Sequence, residues 1–135
     1  MKDPAITDHC QDTSGNQRYP VVYPTATATA HGATATILKT ALKNLNHTNT
    51  GAGGAIVLTL PYAKNVPGAT FRLYLTVAQQ VSFSPQATDK IYLAGSGVAN
   101  KDLVIAGVIG NYADLYSDGV DYLVTHWSGV VTKEA

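Results

Sequence analysis

The stretch Asn49–Pro61, NTGAGGAIVLTLP, decides the fold class of this chain. Its glycines form a bend, which runs directly into apolar residues that alternate until Pro61 ends the run. Alternation with a period of two is typical of a β-strand with one buried face. A second stretch, Ser117–Val131 (SDGVDYLVTHWSGVV), has the pattern of a tight turn, a strand, another turn and a last strand. Both stretches predict compact β-structure.

The rest of the chain after residue 33 extends this pattern. Thr70–Val77 is the clearest predicted strand, several shorter apolar runs follow it, and one helical turn is expected near Thr40–Leu45. Glycine, proline, aspartate or asparagine separates the runs. Many short strands at this spacing predict an all-β domain, a mostly antiparallel β-sandwich or barrel. The expected core includes Ile56, Leu58, Leu60, Phe71, Leu73, Leu75, Val77, Phe83 and Ile105.

The N-terminal part differs in character from this domain. Residues 1–18 are polar and show no periodicity. Tyr19–Pro24 contains two prolines, which remove two backbone donors, so the segment suits a sheet edge or a groove better than a central strand. The alternating TATATA of Thr25–Ala30 fits a thin extended strand. We predict an extended N-terminal arm over residues 1–32 and a β-domain over residues 33–135.

Tyrosine content gives the clearest indication of a contact surface. The chain has eight tyrosines and two phenylalanines. A tyrosine combines an apolar ring with a polar end, and such side chains are enriched at protein interfaces. The alternative is that the aromatic residues of the arm pack on their own domain. The candidate partner-binding residues of the arm are Tyr19, Pro20, Val21, Val22, Tyr23 and Pro24.

Composition also indicates contact with other protein. The 135 residues are 45% hydrophobic, which is enough for a core, but only 13% are charged. Soluble domains usually carry about 25% charged residues, so much of the outer surface is expected to face protein in an oligomer or a larger lattice. A surface rich in neutral polar residues is the alternative explanation.

Several classes of partner and location are disfavoured. Nine basic and nine acidic residues cancel, and no basic run is present, which argues against nucleic acid as a partner. No apolar run approaches the ~20 residues that a membrane span requires. The N-terminus lacks the apolar region of a signal peptide, and the single Cys10 cannot form an internal disulfide. We expect a protein made and assembled in a reducing cytoplasm.

The motifs that could carry chemistry have simpler explanations. Gly51–Gly54 lacks the lysine and hydroxyl residue of a phosphate loop and precedes a strand, so a turn with positive φ is the prediction. Asp114, Asp118 and Asp121 could gather around calcium, but Asp118 and the glycine after it form a typical hairpin turn. No G-x-S-x-G nucleophile motif occurs. We therefore expect no catalytic residue, no metal site and no cofactor.

His126 and Trp127 are neighbours on the last long predicted strand. Successive side chains of a strand point to opposite faces. We expect His126 to share a face with Tyr122 and Val124, and Trp127 to serve as a core or interface anchor on the other face.

A long segment resembles small virion proteins of tailed bacteriophages. The resemblance begins at Leu45–Val77, LNHTNTGAGGAIVLTLPYAKNVPGATFRLYLTV, which combines an N-T-G-A-x-G bend, an alternating strand ending in L-P and a T-F strand. It continues through Val81–Pro85 and Asp89–Tyr92, and ends with Leu115–Trp127, where S-D-G joins two strands. These motifs are structural, and the arm lies outside them. The resemblance implies a capsid decoration protein, a head fibre or a tail-associated component, often trimeric.

The function expected from these observations is structural. The expectation is a non-enzymatic phage virion protein that binds the capsid surface as a decoration (cement) or head-fibre protein. The alternative is a tail- or fibre-associated β-module that binds a host carbohydrate or receptor. The expected partners are the major capsid protein or neighbouring virion subunits, together with further copies of the chain in a homotrimer. The expected location is the virion, after assembly in the host cytoplasm.

Overall fold

A computed structural model describes residues 29–37 and 46–134, together with the backbone of residues 10–11 and 17–18. The helical turn predicted near Thr40–Leu45 and the predicted arm segment Tyr19–Pro24 lie outside the described residues.

The described residues form short strands and one 3-10 turn at Ala63–Asn65. The strands are β1 (Cys10–Gln11), β2 (Gln17–Arg18), β3 (Thr29–Ala30), β4 (Ala35–Thr36), β5 (Asn46–Thr48), β6 (Ile56–Thr59), β7 (Thr70–Tyr74), β8 (Val81–Ser84), β9 (Ile91–Tyr92), β10 (Leu103–Ile105), β11 (Tyr112–Ser117), β12 (Tyr122–Ser128) and β13 (Val131–Lys133). The predicted all-β class of short strands is confirmed.

Two larger sheets share a single hydrophobic core. One has five strands in the order β13-β10-β8-β6-β4, and the other has six in the order β3-β5-β7-β11-β12-β9. Strands β1 and β2 form a separate antiparallel pair. The six-stranded sheet begins at Thr29, so the sheet structure starts before the predicted domain boundary at residue 33.

The chain alternates between the two larger sheets from β3 to β11. In consequence β3, β5 and β7 pair in parallel in one sheet, and β4, β6 and β8 pair in parallel in the other. Strands β3 to β8 therefore wind as a coil, which β10 and β11 close by pairing antiparallel to β8 and β7. The sheets are mixed: the expected antiparallel pairing occurs among β7, β8, β10, β11, β12 and β13, and parallel pairing occurs among β3 to β8 and between β9 and β12. Each crossing to the opposite sheet supplies the long connection that parallel neighbours require.

The core contains eight of the nine residues expected in it, all buried, whereas Val77 is half-buried. The predicted strand Thr70–Val77 ends early, at Tyr74. The backbone N–H groups of Thr76 and Val77 both donate to the side-chain oxygen of Asn49, at 2.8 and 3.0 Å. The Asn49 side chain takes the place of a neighbouring strand as the hydrogen-bond acceptor. The ladder of backbone hydrogen bonds between strands therefore stops here, and the chain turns toward β8.

Strand β12 contains a β-bulge at Thr125. Asp114 pairs with His126, but the next residue along, Leu115, pairs with Val124. The extra residue reverses the alternation, so His126 lies on the outer face beside Asp114 and does not share a face with Tyr122 and Val124. The predicted placement of His126 was therefore wrong.

Candidate interaction surfaces

The predicted attachment residues Tyr19, Pro20, Val21, Val22, Tyr23 and Pro24 all lie outside the described residues. What the structure describes is the point where the chain enters the domain. Strand β3 is the edge strand of the six-stranded sheet. Among the described residues, those of the hydrophobic core lie between Ile37 and Val131. The described part of the predicted arm, residues 29–32, therefore contributes no residue to this core.

A pair of histidines lies where β3 leads into the domain. Nε2 of His31 and Nδ1 of His47 are 2.9 Å apart, so one of the two rings donates its proton to the other. His47 is fully buried and packs edge-on against Phe71, with 5.8 Å between ring centroids. Burial lowers the pKa of His31. Since two protonated rings would place two donors face to face, this contact requires at least one neutral histidine.

The glycine-rich bend is held by Asn49, a residue that the sequence reasoning did not single out. Its side-chain nitrogen donates to the carbonyls of Val77 and Gln79, at 2.9 and 3.1 Å. Its side-chain oxygen accepts hydrogen bonds from the N–H groups of Thr76 and Val77. Both N–H donors and both acceptor lone pairs of the amide are therefore used. Gly51 has φ +89°, which confirms the predicted positive-φ turn. The bend is a structural clamp between β5 and the β7–β8 connection.

The three aspartates considered for calcium point to different partners. Asp118 accepts the N–H groups of Val120 and Asp121, both at 2.8 Å, and backbone hydrogen bonds from Asp121 and Val120 lower its pKa. Asp121 accepts the N–H of Lys90. Asp114 is paired with an arginine on the outer face of the sheet. Within residues 29–37 and 46–134, no group of three His, Cys, Asp or Glu side chains is arranged to hold a metal ion.

The outer face of the six-stranded sheet carries tyrosines on both sides of a polar row. Tyr74, Tyr112 and Tyr116 project from β7 and β11 on this face, which we call the tyrosine face. Between the paired Tyr74 and Tyr112 on one side and Tyr116 on the other lie Arg72 and Asp114. A shallow depression of about 180 Å³ opens here, lined by Asn46, Thr70, Phe71, Arg72 and Asp114.

Arg72 is held rigidly at the centre of the tyrosine face. Its Nε and Nη2 donate to the two carboxylate oxygens of Asp114, at 2.6 and 2.8 Å. Its guanidinium also lies over the ring of Tyr112, 4.4 Å from the centroid. The hydrogen bond to Asp114 raises the pKa of Arg72. This row is electrically balanced but rich in fixed donors and acceptors, which suits a neutral polar ligand better than an ion.

The surface at the start of β11, the end away from the β11–β12 hairpin turn, is apolar. Val108, Ile109 and Val130 are 59%, 62% and 63% exposed, and Trp127 is 42% exposed nearby on β12. We call these four residues the apolar end. The β10–β11 loop contacts the β12–β13 turn through a hydrogen bond from the N–H of Ala106 to the carbonyl of Val130, at 3.0 Å. Exposed apolar side chains that lie together are typical of interaction surfaces.

Comparisons with known proteins found no match to the chain among family models, curated proteins or solved structures. A search of the described segments for a helix long and apolar enough to cross a membrane found none.

Proposed function

We propose that this protein is a non-enzymatic structural component of a tailed-bacteriophage virion. It binds the capsid surface as a decoration (cement) or head-fibre protein, through contacts with the major capsid protein or neighbouring virion subunits. It acts as a homotrimer, and it joins the particle in the host cytoplasm. The arm, with Tyr19–Pro24 at its centre, is the proposed attachment segment.

The observation that carries this proposal is that the described part of the arm takes no part in the core. Among the described residues, those of the core lie between Ile37 and Val131, and the chain enters the sheet at the edge strand β3. We infer that the preceding residues of the arm, 1–28, are available for an external partner. The two prolines of Tyr19–Pro24 restrict the free chain, which reduces the entropy lost when it becomes ordered on a surface.

Deletion of residues 1–24 tests the proposal directly. We expect the truncated protein to keep its β-rich circular dichroism spectrum and its cooperative unfolding, because the described core lies between Ile37 and Val131. We expect its occupancy on particles that lack the protein to fall at least tenfold, measured by co-sedimentation. Deletion of residues 1–16, which retains Tyr19–Pro24, is the matched control and should bind nearly as well as the full chain. If the shorter protein decorates particles at full occupancy, the arm is not the anchor.

A second candidate function is favoured by the tyrosine face. Aromatic rings beside fixed polar groups are suited to a sugar, because the rings contact the apolar face of the pyranose and the polar groups contact its hydroxyls. Here Tyr74 is 42% exposed, and Arg72 and Asp114 are already fixed next to it. In this case the protein is a tail- or fibre-associated module that binds a host carbohydrate or receptor.

The substitution Tyr74→Ser distinguishes this second function. If a saccharide of the host surface binds the tyrosine face, the affinity measured by titration calorimetry should fall about tenfold, which corresponds to ~1.4 kcal/mol. Tyr62→Ser is the control, because Tyr62 is similarly exposed but lies between β6 and the 3-10 turn. Equal binding by wild type and Tyr74→Ser across a panel of host saccharides would count against the second function.

A further inference from the structure

We propose that the apolar end, formed by Val108, Ile109, Trp127 and Val130, is the surface through which copies of this chain associate around their symmetry axis. The inference rests on the proposed homotrimer and gives it a location on the domain. It assigns the apolar end to a second copy of the chain, and it leaves the arm and the tyrosine face for other partners.

The first feature of the apolar end is the exposure of its side chains. Three aliphatic side chains in two adjacent loops are each about three-fifths exposed, and an indole lies on the strand that leads to one of those loops. Scattered single hydrophobic residues on a surface need no explanation, but a group of them does. Elsewhere in the described domain Leu73, Leu75 and Phe83 are fully buried, and the exposed Val98 and Val120 lie far apart in the sequence. The apolar end differs from these single residues because it groups three exposed aliphatic side chains with an indole.

The second feature of the apolar end is its fixed backbone. The β10–β11 loop is fastened to its own domain by the reciprocal pair from Gly110 N–H to Leu75 carbonyl and from Leu75 N–H to Asn111 carbonyl, each 2.9 Å. The side chain of Asn111 donates to the carbonyl of Ala106 at 3.0 Å. The apolar side chains are thus presented from a fixed backbone. Because a fixed surface loses little conformational entropy on association, it is well suited to a specific contact.

The third feature of the apolar end is its lack of charge, which favours a second copy of the chain as the partner. No Asp, Glu, Lys or Arg occurs from Leu103 to Ala113 or from Trp127 to Thr132. An uncharged surface has no charge that would select an oppositely charged partner, and it does not repel a copy of itself. Copies that meet at a symmetry axis bring the same surface patch together, so the patch must tolerate itself. The apolar end meets this requirement.

The size of the surface limits the strength of the contact. A stable interface of standard size takes about 800 Å² from each partner. Four side chains can form the centre of such an interface but not the whole of it. We infer that neighbouring polar groups form the rim of the interface. Association in free solution is then expected at micromolar rather than nanomolar concentration.

Sedimentation of single-lysine variants tests this surface. Ile109→Lys and Val130→Lys would each bring like charges together at the symmetry axis, and we expect both to sediment as monomers at micromolar concentrations where the wild type is trimeric. The matched control is Val120→Lys. Val120 is 70% exposed but follows the other end of β11, roughly 20 Å away for a strand of this length, so its substitution should leave the trimer intact. Circular dichroism verifies that each variant is folded, and Val108→Lys replaces any variant that is not.

The possible outcomes separate this inference from the proposed function. Persistence of the trimer in both Ile109→Lys and Val130→Lys, or its loss in Val120→Lys, would overturn the assignment of the apolar end. A monomeric wild type whose binding to particles is lost in Ile109→Lys would also overturn it, and would identify the capsid as the partner of this surface. Failure of the proposed function gives a different result, because the wild-type protein would then not bind particles whatever its oligomeric state.

Discussion

Replacement of Asn49 by leucine is expected to lower the free energy of unfolding by at least about 4 kcal/mol. Leucine has a similar size but makes no hydrogen bonds, so the carbonyl of Gln79 and the N–H groups of Thr76 and Val77 lose this partner. The carbonyl of Val77 keeps only the N–H of Gln79. A buried polar group left unpaired costs about 1–3 kcal/mol. Because whole domains are stable by only about 5–15 kcal/mol, the variant should be close to unfolded at 37 °C.

Urea denaturation followed by tryptophan fluorescence and circular dichroism measures this loss. Asn65→Leu is the matched control, since Asn65 is exposed at the end of the 3-10 turn and its substitution should change stability by less than about 0.5 kcal/mol. A loss below about 1 kcal/mol in Asn49→Leu would mean that water or a rearranged loop replaces the four hydrogen bonds, and that the clamp is not essential to the bend.

Replacement of Gly129 by alanine is expected to cost about 2–4 kcal/mol. Gly129 has φ +79°, in the left-handed region where a Cβ costs roughly 1–2 kcal/mol. The added methyl group would also overlap the side-chain amide of Asn111, which is buried and bonded to Ala106. The amide can move only by giving up that hydrogen bond, so the two costs add.

The same urea titration measures the effect of Gly129→Ala against a second glycine. Gly54→Ala is the control, because a Cβ at Gly54 meets no atom within 4 Å and its φ is not in the left-handed region. It should leave stability unchanged or slightly raised, as fewer unfolded conformations remain available. Equal stability of the two variants would show that the β12–β13 turn adapts to the methyl group, and that the apolar end is less rigid than the hydrogen bonds indicate.

Local residue chemistry determined much of the fold. The alternation of Ile56 and Leu58, and of Phe71 and Leu73, predicted strands with one buried face, and these side chains are buried. Asp118 and the glycine after it predicted a hairpin turn, and Gly119 has the expected positive φ of +90°. These features follow from the sequence because one strand, or one turn of a few residues, contains all the interactions that decide them.

Contacts between distant residues decided the rest. Period two is the same in parallel and antiparallel strands, so it did not reveal that the chain alternates between two sheets from β3 to β11. The bulge at Thr125 moves His126 to the outer face, although its neighbours in sequence alternate regularly. Asn49 reads as an ordinary loop residue until the fold brings the backbone of Thr76 and Val77 against it.

The tyrosine face and the apolar end were likewise determined partly by the sequence and partly by the tertiary structure. The sequence by itself determined that the chain has little charge and many tyrosines, which predicted a surface in contact with other molecules. Only the tertiary structure placed Arg72 and Asp114 side by side between tyrosines, and only it brought the backbone of Ala106 against that of Val130. The physical reason is that composition fixes how much apolar and polar surface exists, whereas the pairing of strands far apart in sequence decides which side chains become neighbours.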